Sequence, residues 1–129
     1  MTTPSASELV LVDSSGWVEY LGEGPKAPAF APYLEREELL VLPTIIVYEI
    51  YKKLFQDEGA TTADRFLSYA LRARGVVLDA HTALLAARAS LNHHLAMADA
   101  IIYASAQMLQ AQLVTSDPHF KDLPGVKLV

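Results

Sequence analysis

Cysteine is absent from the 129 residues, which excludes disulfides and thiolate metal sites and leaves nothing that asks for an oxidising compartment. Positive charge is scarce. Ten Lys and Arg stand against fifteen Asp and Glu, for a formal net charge of -5. That balance argues against broad electrostatic binding to duplex nucleic acid, where phosphate neutralisation supplies most of the affinity. Long apolar runs are also missing: the longest, Leu39 to Tyr48, contains Pro43 and is too short to cross a membrane. Met1 to Ser7 lacks the basic cluster of a signal peptide, so a soluble cytoplasmic protein is expected. No Gly-rich phosphate loop, His-x-x-x-His pair or Ser-His-Asp order is present, which removes the commoner nucleotide, zinc and acyl-transfer signatures.

What remains is rich in apolar residues, 52% of the chain against 19% charged, with a mean hydropathy of +0.23. This is opposite in sense to a disordered composition and is consistent with a surplus that covers a subunit or partner surface. The length suits one domain over residues 1–129, with residues 1–7 expected to form a flexible N-terminus.

Strand-like and helix-like periods alternate, the pattern of an α/β domain with a mainly parallel sheet of four to five strands. Strands are expected at Glu8 to Val12, Leu39 to Leu42, Val76 to Leu78, Leu113 to Thr115 and, at the edge, Val126 to Val129. Helices are expected at Trp17 to Leu21, Ala27 to Arg36, Thr44 (as N-cap) to about Gln56 and roughly Thr62 to Arg74, with Gly75 as the stop. Two more are expected at His81 to Leu91 and Met97 to Gln110, separated by Asn92-His93-His94.

Four acids stand in apolar surroundings. Asp13 closes Leu9-Val10-Leu11-Val12, Glu49 interrupts Ile45-Ile46-Val47-Tyr48, Asp99 lies within Met97 to Ile102, and Asp117 follows Leu113-Val114-Thr115-Ser116. A carboxylate is costly to bury without compensation, and no basic residue adjoins Asp13, Asp99 or Asp117. Asp13 and Asp117 fall just beyond the carboxyl ends of expected strands, where open α/β sheets form their ligand crevice. Asp99 and Glu49 enter from the first turns of helices. Four converging oxygens suit Mg²⁺ or Mn²⁺, and such a site supports phosphodiester hydrolysis by metal-activated water. Each acid also has a plainer use: Asp13 and Asp117 as helix caps, Glu49 as the partner of Lys53, Asp99 as the cap of a restarting helix.

The blocks Leu11-Val12-Asp13-Ser14-Ser15-Gly16-Trp17, Pro43-Thr44-Ile45-Ile46-Val47-Tyr48-Glu49-Ile50, Met97 to Ala106 and Leu113 to Phe120 resemble the four ordered blocks of PIN-domain ribonucleases. In particular they resemble the VapC-type toxins of bacterial and archaeal toxin–antitoxin pairs. The resemblance implies an α/β/α sandwich in which Asp13, Glu49, Asp99 and Asp117 form the pocket for Mg²⁺ or Mn²⁺. It further implies that Thr115, Ser116 and Ser14 orient the ligands, and that RNA is cut by metal-activated water without a covalent intermediate. A cognate antitoxin and a homodimer are the expected partners. Trp17, Tyr20, Tyr48 and Tyr51 are candidates for the antitoxin groove. Lys52, Lys53, Arg72 and Arg74 are candidates for RNA phosphates, with Arg65, Arg88 and Lys121 as further basic positions.

Two other readings use the same residues. A PIN-like module that binds RNA or a partner without turnover is one, although the presence of all four acids counts against it. A small-molecule phosphatase is the other, and the Asp13-Ser14-Ser15 block lacks the second aspartate it would need. Asp79-Ala80-His81 and Asp117-Pro118-His119 share an Asp-x-His spacing, but without partner blocks the spacing assigns nothing. Adjacent His93 and His94 would point about 100° apart on a helix and so share no ion easily.

Overall fold

A computed structural model describes residues 9–129. The expected residues 1–7 and Glu8 of the first strand lie outside them. Three short strands, β1 (Val10–Val12), β4 (Gln112–Thr115) and β5 (Val126–Leu128), form a parallel sheet in the order β1-β4-β5. A parallel pair, β2 (Val41–Pro43) and β3 (Arg74–Val76), lies alongside, joined through the bridge between Val10 and Leu40. Strands buried on both faces read as continuous apolar runs, and Leu11, Val12, Leu113 and Val114 are indeed fully buried. All carboxyl ends therefore point to one end of the sheet.

Among the described residues six α-helices pack around these strands: α1 (Ser14–Leu21), α2 (Ala27–Leu34), α3 (Thr44–Glu58), α4 (Ala60–Ala70), α5 (Ala80–His93) and α6 (Met97–Met108). Among them α6 is the most enclosed, with every residue from Ala100 to Ala106 buried. Its small residues Ala100, Ala104, Ser105 and Ala106 allow neighbours to close in on all sides. Gly59, at φ 90°, supplies the left-handed turn between α3 and α4. Gly16 has a different role. A Cβ there would collide with Val12 and Phe30, so its bare backbone lets α1 settle directly onto β1 and α2.

Several expected boundaries shift. The first helix starts at Ser14, three residues earlier than expected, because Asp13 already serves as its N-cap. Pro43, extended at φ -64° and ψ 143°, holds the position before α3, so Thr44 is its first residue and not its cap. Gly75 does not stop α4, which ends at Ala70; it lies in β3, paired with Leu42. The third strand is Arg74–Val76, set by pairing with β2, and Val77 and Leu78 are exposed beyond it. Asn92 and His93 continue α5, and His94 ends it in the left-handed conformation at φ 56°.

Candidate metal centre

Asp13 and Asp117 follow neighbouring strands. The Asp13 N–H extends the ladder to the Val114 carbonyl at 3.2 Å, and its carboxylate then caps α1 by accepting from Gly16 N–H at 3.3 Å. Asp117 caps a 3-10 turn over Pro118–Phe120, accepting from His119 N–H at 2.9 Å. Capping and convergence are thus compatible uses of both side chains. Asp13 is only 4% exposed, and its carboxylate is held on both sides. Ser15 Oγ donates to Oδ1 at 2.6 Å and Thr115 Oγ1 to Oδ2 at 2.6 Å. Thr115 Oγ1 also accepts from Asp117 N–H at 2.9 Å, so one buried hydroxyl ties the two strand ends together. Ser116 Oγ donates to Ser15 Oγ at 3.2 Å and closes the same network.

Glu49, in the second turn of α3, is half-buried, and its Oε1 is buried with no hydrogen-bond partner. The expected pair with Lys53 does not form: Lys53 reaches Asp57 at 3.1 Å instead, one turn further along the exposed face of α3. Asp99 sits in the first turn of α6, where Ala96 provides no side-chain cap. Its neighbours are less uniformly buried than expected, since Met97 is 76% exposed, but Ala100 to Ile102 turn inward. His119 Nδ1 lies 3.1 Å from Asp117 Oδ1 and 3.9 Å from Asp99 Oδ2. One ligand atom from each of Asp99, Asp117 and His119 lies within 4.8 Å of the others. The Asp-x-His spacing contained the signal for His119, but without the fold it could not be told from chance.

Electrostatics bind the four acids into one unit. Burial pushes the carboxyls of Asp13, Glu49 and Asp99 above their ordinary range. At Asp13 the hydrogen bonds from Ser15, Thr115 and Gly16 work against the shift and Asp117 adds to it. At Glu49 repulsion by Asp99 adds to burial, the Ser14 hydroxyl opposes it, and Asp13 adds further. At Asp99 repulsion by Asp117 adds to burial and His119 opposes it. Among the described residues no Lys or Arg forms an ion pair with any of the four. Clustered carboxylates with an unpartnered buried oxygen and no basic partner fit a hard divalent cation, which would reverse each of these shifts. Asp99, Asp117 and Glu49 have oxygens to offer it, and Asp13 Oδ2, which accepts only from Thr115, keeps a lone pair for the same purpose.

Beside the acids opens a cleft of about 590 Å³, lined by Ser14, Ser15, Tyr48, Glu49, Lys52, Lys53 and Ser116 among others. Tyr48 is 62% exposed there and the Lys52 ammonium lies 5.6 Å from the centre of its ring. Other expected contacts fall elsewhere. Trp17 cannot line a groove: it is 1% exposed and packs edge-on against Phe66 and Tyr69, because the earlier start of α1 turns it into the core. Tyr20 and Arg72 line a separate cavity of about 470 Å³, with Arg72 reaching Glu37 at 3.4 Å. Tyr51 donates to Asp64 at 2.9 Å and leans on Phe55. Arg74 opens β3, at the end of the sheet away from the acids, because the strands are parallel.

Comparison with known proteins agrees with this architecture. The PIN domain profile matches residues 10–126. Sequence comparison with curated proteins gave no match. Among solved structures, a toxin–antitoxin complex from Klebsiella pneumoniae aligns with a TM-score of 0.80 and 18% identity, covering 92% of this chain and 95% of that one. Mycobacterium tuberculosis VapC20, a toxin that cleaves the sarcin–ricin loop, aligns with a TM-score of 0.75 and 16% identity over 92% and 98% of the two chains. DNA-bound VapBC from Salmonella typhimurium gives 0.73 and 14% over 94% and 96%. At these identities the likeness is one of fold, while the profile match spans nearly the whole chain. This chain belongs to the PIN domain family.

Proposed function

We propose that the protein is a divalent-metal-dependent endoribonuclease that acts as the toxin of a toxin–antitoxin pair. The observation that carries this reading is the meeting of Asp13, Glu49, Asp99 and Asp117 at the carboxyl ends of β1 and β4, charge-coupled and without a basic partner. Asp13, Asp99, Asp117 and Glu49 would hold Mg²⁺ or Mn²⁺, with the Asp13 carboxylate oriented by Thr115 and Ser15. When bound, the ion supplies a readied water and positive charge against the scissile phosphate. Lys52 and Lys53 at the cleft are suited to flanking phosphates, and exposed Tyr48 offers a face on which an unpaired base can stack.

The antitoxin would occupy the Tyr48 cleft, where an arginine could compete for the carboxylates. Similar folds occur in the Klebsiella pneumoniae toxin–antitoxin complex and in Salmonella typhimurium VapBC, which supports a protein partner of this kind. A homodimer would use the apolar groove of about 360 Å³ between α5 and α6, which includes Leu78, Ala83, Ala87, Met97 and Ile101. Sedimentation equilibrium tests that assembly directly.

Cleavage of a labelled RNA by the purified chain tests the activity. Mn²⁺ should support cutting, EDTA should abolish it, and Asp99→Asn or Asp117→Asn should reduce it by at least about a hundredfold with the fold intact. Full activity in EDTA, or in both variants, would end the proposal.

A further inference from the structure

His119 stands on the rim of the acidic cluster with its backbone fixed on both sides. Its N–H donates to Asp117, Pro118 precedes it, and Phe120, fully buried, anchors the turn from behind. The imidazole itself is three-quarters exposed and faces Asp99 and Asp117. An exposed histidine–carboxylate pair contributes little to stability, so ion pairing alone gives this geometry little to recommend it.

The separations match a shared ion better. Two donors each about 2.1 Å from a metal lie about 3 Å apart when adjacent and at most about 4.2 Å apart when opposite. The observed 3.1 Å to Asp117 and 3.9 Å to Asp99 both fall within that span. The grouping points the same way: Asp99, Asp117 and His119 each bring one ligand atom within 4.8 Å of the others, and Glu49 keeps a buried oxygen without a hydrogen-bond partner.

We propose that His119 is a direct metal ligand, giving this PIN domain a mixed nitrogen and oxygen centre with Asp99 and Asp117. This rests on the metal-centre reading and adds to it. An imidazole donor suits Mn²⁺ better than Mg²⁺, which prefers all-oxygen surroundings and retains its waters. The protein therefore selects Mn²⁺ over Mg²⁺, and His119 is the residue that makes the selection.

Electron spin-echo spectroscopy of Mn²⁺ added to the intact chain tests the assignment without reference to activity. Directly coordinated imidazole nitrogen gives ¹⁴N modulation, which should be present in the wild type and absent in His119→Ala. Mn²⁺ affinity, measured by the free-ion signal, should fall at least about tenfold in His119→Ala, with a smaller change for Mg²⁺ measured by competition. His119 is exposed, and a thermal melt in EDTA verifies that the variant folds. Bound Mn²⁺ without a nitrogen signal, or unchanged affinity in the variant, overturns the His119 assignment and leaves the metal-dependent reading standing. Failure of the wild type to bind Mn²⁺ overturns both.

Discussion

Replacing Thr115 by valine should show how far the acidic site depends on one buried hydroxyl. The side chain is fully buried, and its oxygen donates to Asp13 Oδ2 at 2.6 Å while accepting from Asp117 N–H at 2.9 Å. A hydrogen bond to a carboxylate contributes about 1.5–3 kcal/mol, and an amide left without its acceptor costs about another 1 kcal/mol. The extra methyl group of valine returns less than about 1 kcal/mol. The net loss is therefore about 1.5–4 kcal/mol in the metal-free protein at neutral pH, or roughly 6–15 °C in melting temperature for a domain of this size. The loss should also depend on pH. Burial holds the Asp13 carboxyl above its ordinary range, so the folded chain keeps a proton that the unfolded chain has released, and stability falls as pH rises through that window. Removing the Thr115 donor pushes the folded value higher and widens the window, making the cost smallest near about pH 4 and largest at neutral pH. Urea titrations in EDTA across this range measure it. A loss below about 1 kcal/mol at neutral pH, or one that shrinks as pH rises, would refute the proposed linkage.

The metal-free wild type should lose stability as pH rises above about 4 for the same reason, since Glu49 and Asp99 are also shifted upward; a flat profile in EDTA would contradict the repulsive cluster. Mn²⁺ at about a hundred times its dissociation constant should add about 2.7 kcal/mol to the wild type and little to Asp99→Asn, as read by thermal melts. Gly16→Ala should destabilise by about 1–3 kcal/mol in equilibrium unfolding, because its Cβ meets Val12 and Phe30; a neutral result would mean that α1 can slide on β1. Tyr48→Ala should weaken binding of single-stranded RNA by about 1–3 kcal/mol in fluorescence titrations without lowering the melting temperature, since the ring is mostly exposed.

Much of this architecture is readable from the chain because parallel strands must be apolar on both faces. Val10 to Val12 and Leu113 to Thr115 announce themselves, and the acids that follow them are conspicuous for the same reason. Direction is harder to read. Trp17 looks like a surface anchor until Asp13 is seen to start α1 at Ser14, which rotates the indole into contact with Phe66 and Tyr69. Arg72 and Arg74 are near β3 in sequence, yet parallel pairing sends them to the wrong end of the sheet. Strand β3 itself is an edge strand with only Val76 buried, so the apolar Val77 and Leu78 misdirect any estimate based on hydropathy. Lys53 illustrates a different limit. Glu49 and Asp57 stand one turn before and after it, and only the orientation of α3 toward the core decides that Asp57 is its partner.

The pairing of β1 with β4 has a consequence for the chain during synthesis. Val10 finds Gln112, its partner, only after about a hundred further residues have been made, and Asp13 cannot receive the Thr115 hydroxyl before then. Until β4 leaves the ribosome, one edge of the central strand stays open and the carboxylates at 13, 49, 99 and 117 remain scattered along the nascent chain. Any activity lodged in their union switches on in a single late step, when the last neighbour of β1 docks. Assembly of the four acids thus waits on β4 in any order of folding.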